Sequence, residues 1–290
     1  MKARQGERLP PEQIDYAAVK RYWLTAGKGG ADTAGYMAHV QGLPLDAVYV
    51  RLRSETRAVA NWLSEVPSSG RILDLGCGAG TWSELFARRY RSVVAVEQSA
   101  SMLQAAKQRL AGIDTVEFLQ CDVRTTLPDG PFDLVFLGGL LMYLGDGDAR
   151  SLLARLSERL GTGGLIILRE TTVARQRQTA QGDYQAVYRS VADYLDLFQS
   201  CGFLGVDVRR NWGYTHMEYA VELVETRTRL LPFLPRDSRV LGALTWWGLR
   251  GTAPVSFWLL PRLLSLLKIA WPRLENHFFR LSTPQRADNP

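Results

Sequence analysis

Residues 73–81, LDLGCGAGT, with Arg71 and Ile72 ahead of them, decide how this chain is read. An apolar run ends in an acid, Asp74, and glycine then stands at positions 76, 78 and 80. A strand that stops in such a turn brings its backbone within contact distance of a ligand, where any Cβ would collide. The spacing matches neither of the common phosphate loops. No Gly-Lys-Ser/Thr follows, and GCGAG is shorter than the dinucleotide pattern G-x-G-x-x-G. The turn is built to hold a nucleotide-like cofactor.

Further apolar runs follow at the spacing of an alternating strand and helix chain. Residues 92–96 end in Glu97, roughly twenty residues beyond the glycines, and an acid at a second strand's tip is where Rossmann-like folds hydrogen-bond a ribose diol. Residues 115–120 end in Cys121-Asp122-Val123, and residues 131–137 lead into Gly138-Gly139-Leu140-Leu141-Met142-Tyr143. A fifth run, 165–168, precedes Arg169-Glu170. Helices are expected over 81–90, 99–111, 149–160 and 187–201, with Ser99 capping the second. Such alternation requires a mostly parallel sheet with the ligand at the strands' carboxyl ends.

In order and spacing these stations resemble the E/DxGxGxG signature and its successors in the class I S-adenosylmethionine-dependent methyltransferases. The resemblance implies an α/β fold: a Rossmann-like, seven-stranded, mostly parallel sheet with helices on both faces. It also implies an N-terminal helical lid over 1–65 and a core over 66–225, closing in an antiparallel strand pair at 205–209 and 215–224. Residues 226–290 remain as an apolar, helical C-terminal extension. The implied cofactor is S-adenosylmethionine. Its site would comprise Asp74, Gly76, Cys77, Gly78 and Gly80, then Glu97 on the ribose with Gln98 and Met102 beside it. Asp122 would take the adenine amino group between Cys121 and Val123, with Gly138 and the lid residue Tyr22 completing the set.

On the acceptor side the chemistry asks little of the protein. Methyl transfer from a sulfonium is an in-line displacement, so holding donor and nucleophile collinear is the main task and a general base is optional. His216, close to Trp212 and Tyr214, is the best-placed candidate base because imidazole titrates near neutrality. Tyr188 and Glu170 are further catalytic candidates, and Tyr36, Tyr143, Arg169, Tyr184, Arg189 and Trp212 are candidates for substrate binding. Each has a structural counterpart: Tyr188, Tyr194 and Phe198 recur at helical spacing and suit a core, Arg169 and Glu170 can pair, and a lone His is commonly structural.

Composition excludes several classes. The histidines, His39, His216 and His277, are far apart without carboxylates at ligand spacing, so no metal is expected. Three scattered cysteines, Cys77, Cys121 and Cys201, indicate neither disulfides nor zinc and fit a reducing cytoplasm. The first residues, MKARQGERLPPEQ, lack the apolar stretch of a secretory signal. The formal charge is +6, but Lys and Arg are spread along the chain, so nucleic acid is not the expected partner. The segment after the fourth strand lacks the Asn/Asp-Pro-Pro-Tyr that marks exocyclic-amine methylation, and no cysteine stands where a pyrimidine methylase keeps its nucleophile. The expected function is methylation of an O or N atom of a small, lipophilic acceptor. A peptide or amine N-methyltransferase is the nearer alternative; a scaffold that retains the fold is the more distant one.

Residues 240–272 are strongly apolar, contain Trp246, Trp247, Trp258 and Trp271, and carry charge only at Arg250, Arg262 and Lys268. Arg250, Pro254, Pro261 and Arg262 interrupt the roughly 20 apolar residues that a membrane-spanning helix needs. Packing on the core, a homodimer or peripheral membrane-surface contact through 235–280, and a wall for the acceptor all remain open.

Overall fold

The runs read as core strands are strands. They form β1 Arg71–Leu75, β2 Ser92–Glu97, β3 Val116–Gln120, β4 Phe132–Leu137 and β5 Leu160–Val173 in a computed structural model that describes residues 14–28, 42–203, 205–235, 237–267, 269 and 271–282. All five are parallel and lie in the order β3-β2-β1-β4-β5. Strands flanked by helices on both faces must be apolar along their whole length, and β1, β2 and β4 are almost entirely buried. One face packs Leu73, Val94 and Val135 on Leu152, Leu153 and Leu156 of α5 Asp146–Ser157. The other packs Ile72, Val93 and Phe136 on Trp82 and Phe86 of α3 Thr81–Ala87 and on Trp62 of α2 Leu45–Glu65. At roughly 1.5–3 kcal/mol for each large side chain removed from water, these two faces hold the fold.

The far side of the sheet differs from expectation. Residues 215–224 belong to a helix, α7 Trp212–Leu230, and not to a strand. Met217, Tyr219, Val221 and Leu223 alternate as in a strand, yet Gly213, Met217, Ala220 and Val224 also recur at helical spacing. The second set is buried throughout, whereas Val221 and Leu223 of the first are not; the Asn211 side chain caps the first turn, and α2 lies so close that a Cβ on Gly213 would fall 2.7 Å from the Arg51 carbonyl. The strand beside β8 Gly205–Arg210 is instead β9 Leu274–Ser282, which inserts antiparallel between β5 and β8. The sheet therefore runs β3-β2-β1-β4-β5-β9-β8, and its sixth strand comes from the segment read as an extension. Residues 187–190 likewise are extended, in β7 Ala186–Ser190, which pairs with β6 Gln178–Ala180. Helix α6 Val191–Ser200 starts only after the Ser190/Asp193 capping box.

Between α7 and β9 stand α8 Arg239–Gly251, a π turn Pro254–Leu259 and α9 Leu260–Leu266. Trp246 anchors them. It is fully buried with Leu43, Val48, Met217 and Val224, and its indole nitrogen donates to Asp46 at 2.8 Å. No described helix is long and apolar enough to cross a membrane. At the sheet's carboxyl edge α1 Tyr16–Ala26 lies across the start of α4 Ala100–Arg109, where Ser99 donates to the Trp23 carbonyl at 3.1 Å and Ser101 to that of Leu24 at 2.8 Å.

Candidate active site

A cavity of about 470 Å³ opens over the carboxyl ends of β1, β2, β4 and β5. Its floor is the glycine turn. Gly76 and Gly78 hold φ of +70° and +56°, Gly76 and Cys77 donate to the Val96 carbonyl, and a Cβ on Gly78 would meet nothing within 4 Å. Open space at a left-handed glycine is what close approach of a ligand to backbone requires. Glu97, at the tip of β2, accepts from Gly78 N at 3.1 Å and from Ser99 N at 2.8 Å, so the acid braces the turn it faces.

Four acids show how burial and partners divide the site. Asp74, 1% exposed, is pushed up to about 7 by burial, against the hydrogen bond from Ser83 at 2.5 Å. Burial also raises Glu97. For Asp122 burial is outweighed by Arg124, which donates from its side chain at 2.6 Å and holds the carboxyl below its ordinary range. Glu218, on α7, is pushed up to about 7 by burial, with Tyr214 beside it in partial offset.

Beyond the glycine turn the cavity becomes aromatic. Tyr143 and Tyr184 share a hydrogen bond of 3.1 Å, Tyr188 donates to Tyr184 at 3.5 Å, and Trp23 stands edge-on to Tyr143 at 5.6 Å between centroids. Arg51, Tyr214, Glu218 and Asn276 join them from α2, α7 and β9. Arg169 pairs with Glu55 at 3.2 Å and donates to the Gly138 carbonyl at 3.0 Å. The Nε atoms of Arg51 and Arg169 are buried without a hydrogen-bond partner among the described residues.

A methyltransferase-domain model matches residues 72–164. The chain is 32% identical over 215 residues to the trans-aconitate 2-methyltransferase of Paracidovorax citrulli, covering 65% of this chain and 80% of that one. The chain belongs to the class I S-adenosylmethionine-dependent methyltransferases. A relative of the same name from an Azoarcus species is 35% identical over 128 residues, 42% of this chain and 49% of that one. The chain thus spans about half the length of that relative, and of two more of that name, from Methylobacterium nodulans and Rhizobium rhizogenes. A Leishmania major S-adenosylmethionine-dependent methyltransferase superposes with a TM-score of 0.55 at 25% identity, covering 69% of this chain and 78% of that one.

S-adenosylmethionine is the cofactor of this family, and the cavity of this chain suits it. Two buried acids, Asp74 and Glu97, are raised by burial beside the open glycine turn, and a cationic ligand there would restore their ionised forms. Asp74, Gly76, Cys77, Gly78, Glu97, Gln98, Met102, Cys121, Asp122, Val123 and Gly138 all line the cavity, as do Tyr143, Arg169, Tyr184 and Tyr188.

Other sequence candidates stand elsewhere. Gly80 lies behind the turn, where a Cβ would fall 2.7 Å from Leu110 of the neighbouring helix end. Tyr22 does not line the cavity but packs edge-on against Tyr184 at 5.0 Å. Tyr36 lies outside the described residues. The base expected at His216 is not there: its ring stacks on Phe257 at 4.1 Å, turned toward the π turn, and burial lowers it to about 4. Glu170 and Arg189 are fully buried beneath the loop after β4. Glu170 accepts from the backbone N–H groups of Leu140, Leu141 and Met142, while Arg189 donates to the carbonyls of Leu141 and Leu144 and pairs with Asp146 at 2.6 Å. Together they clamp a loop that faces the cavity without entering it. Trp212 lies outside it, under the Arg210 guanidinium at 4.5 Å. Among the described residues no cluster of His, Cys, Asp or Glu could hold a metal.

Sequence reasoning missed Arg51, Tyr214 and Glu218. Read as a strand, 215–224 points alternate residues to opposite sheet faces; as a helix it sets Tyr214, Glu218 and Glu225 on one stripe, and all three line the cavity. The signal available was the double periodicity of that segment.

Proposed function

We propose that the protein transfers a methyl group from S-adenosylmethionine to a nitrogen or oxygen atom of a small acceptor with an apolar portion, and that Glu218 takes the acceptor's proton. One observation carries this reading: a single cavity joins the glycine turn to a tyrosine-lined chamber with a buried carboxyl in its wall. The bound cofactor supplies an electrophilic methyl on a sulfonium. Glu97 and Asp122 are proposed to bind its ribose and adenine edges, and Asp74 to offset its positive charge. Arg51 and Arg169, which share the Glu55 carboxylate at 3.5 and 3.2 Å and line the cavity, suit the carboxylate at its amino-acid end. Tyr143, Tyr184 and Tyr188 exclude water and offer ring faces, while Met217, Val221 and Leu274 supply an apolar wall. Fixing the geometry in this way is worth roughly 7–11 kcal/mol of barrier.

A carboxyl near 7 can accept a proton at neutral pH, which is what an ammonium or hydroxyl acceptor must lose. Glu222 and Glu225 follow on the cavity side of α7, so three acids line the chamber from one helix and an amine is the favoured acceptor. A second reading, an acidic acceptor like that named for the trans-aconitate relatives, draws its support from the same arginines.

The test is release of S-adenosylhomocysteine with panels of amines, phenols and carboxylic acids. Glu218→Gln should lower kcat by roughly 10²-fold or more and remove a pH dependence centred near 7, with cofactor affinity intact. A variant as fast as the parent would remove Glu218 from the reaction. Turnover confined to carboxylic acids would favour the second reading, and no turnover with any class would favour a scaffold.

A further inference from the structure

We propose that α8, the π turn and α9 form a docking surface for an anionic lipid bilayer. The proposal is independent of the acceptor. Helix α8 buries Gly242 and Trp246 and turns Val240, Leu244 and Trp247 outward, positions that recur at helical spacing along one stripe. Trp258 of the π turn and Leu263 and Leu266 of α9 are exposed as well, with exposures of 52% at Trp247, 58% at Trp258 and 78% at Leu266. Of nineteen exposed large hydrophobic side chains among the described residues, thirteen lie between 230 and 269. An amphipathic helix ordinarily turns such a face inward; here the inward face is already occupied by Trp246, so the outward one needs its own apolar phase.

Charge selects that phase. Residues 226–273 contain eight Lys and Arg and one acid, Asp237, a net of +7 in a chain that totals +6, so the remainder sums to −1. Arg239, Arg250 and Arg262 are exposed on α8 and α9, Arg250 lying 3.6 Å from Asp46, so two copies of this face would set one cationic surface against another. A polynucleotide would answer the charge but offer no hydrocarbon for leucine and tryptophan. An anionic headgroup layer answers both, since tryptophan rings and long cationic side chains suit the interface while leucines enter the acyl boundary. Arg262 stands over the exposed Trp258 ring at 4.4 Å, one such pairing of cation and aromatic at the rim. The interruptions at Pro254 and Pro261 keep the segment in the interface plane, as no described helix can cross. Behind it, Trp246 packs on Met217, which lines the cavity, so the surface is the outer side of the chamber's own wall.

The test uses the full chain with phosphatidylcholine vesicles, with and without phosphatidylglycerol, read by co-sedimentation over a salt series and paired with light scattering. The protein should sediment with the anionic vesicles, and raising salt should weaken partition by about tenfold or more. Trp258→Ser with Leu266→Ser should abolish binding, and Arg262→Glu alone should weaken it, with S-adenosylmethionine affinity unchanged in both. Sedimentation indifferent to phosphatidylglycerol, or unaffected by either variant, would overturn the proposal. So would a dimer that the double substitution converts to monomer while no vesicle retains the parent protein.

Discussion

At the scale of single residues, two glycines of one turn answer different needs. Gly78 faces the open cavity with φ of +56°, while Gly80, at φ of +78°, abuts Leu110 and Ala106. Gly78→Ala should cost roughly 1–2 kcal/mol of stability through its left-handed backbone and sharply weaken S-adenosylmethionine binding, because its new Cβ occupies ligand space. Gly80→Ala should cost a further ~1–3 kcal/mol by overpacking yet bind the cofactor whenever it is folded. Calorimetric titration beside thermal melts separates the two. Normal affinity in Gly78→Ala would show that the turn does not face the ligand.

At the scale of elements, β9 carries the largest correction. It pairs with β5 over nine residues, from Leu165 opposite Ser282 to Val173 opposite Leu274, and buries Phe278, Phe279 and Leu281 completely. A chain ending at Glu225 would strip β5 of that partner and remove two core phenylalanines, whose loss costs roughly 3–5 kcal/mol each, against a total stability of about 5–15 kcal/mol. Such a chain should not fold cooperatively, as judged by near-ultraviolet circular dichroism and by loss of cofactor binding. A soluble, cofactor-binding product would mean that 226–290 is dispensable to the sheet. Sequence placed β9 inside an extension expected to be helical, since strand partners are chosen across more than a hundred residues.

Across the whole molecule, buried ionisable groups oppose one another in pH. Burial raises Asp74, Glu170 and Glu218 to about 7, so the folded state binds their protons more tightly than the unfolded chain; that stability is full below their ordinary values and is lost as pH rises through about 7. Burial lowers His216 and His277 to about 4, so their contribution is full above their ordinary value near 6.5 and is lost as pH falls through about 4. The windows overlap between about 4 and 6.5 with opposite slopes, and with three acids set against two histidines the melting temperature of the ligand-free protein should fall as pH rises toward 7. Because a cationic cofactor favours ionised Asp74, its stabilising effect should be larger at pH 8 than at pH 5. Scanning fluorimetry with and without S-adenosylmethionine reads both; a cofactor shift that shrinks as pH rises would contradict the assignment of Asp74.

Half of this protein is written in adjacent residues. A strand that ends in Asp74 and three alternate glycines, and strand tips at Glu97 and Asp122, carry their meaning locally, because left-handed backbone and the position of a strand end depend on near neighbours. Family and cofactor were therefore legible before any coordinates. The acceptor side was not. Residues 215–224 satisfy a period of two and one of 3.6 equally, and only packing against α2 made them a helix. His216 looked like a base until the π turn covered it, and Glu218 lines the cavity instead because the helix turned that side chain toward it. The chamber draws Arg51 from α2, Tyr214 and Glu218 from α7 and Asn276 from β9. Side chains so far apart in sequence acquire a common function only when burial of the apolar faces beneath them brings their elements together.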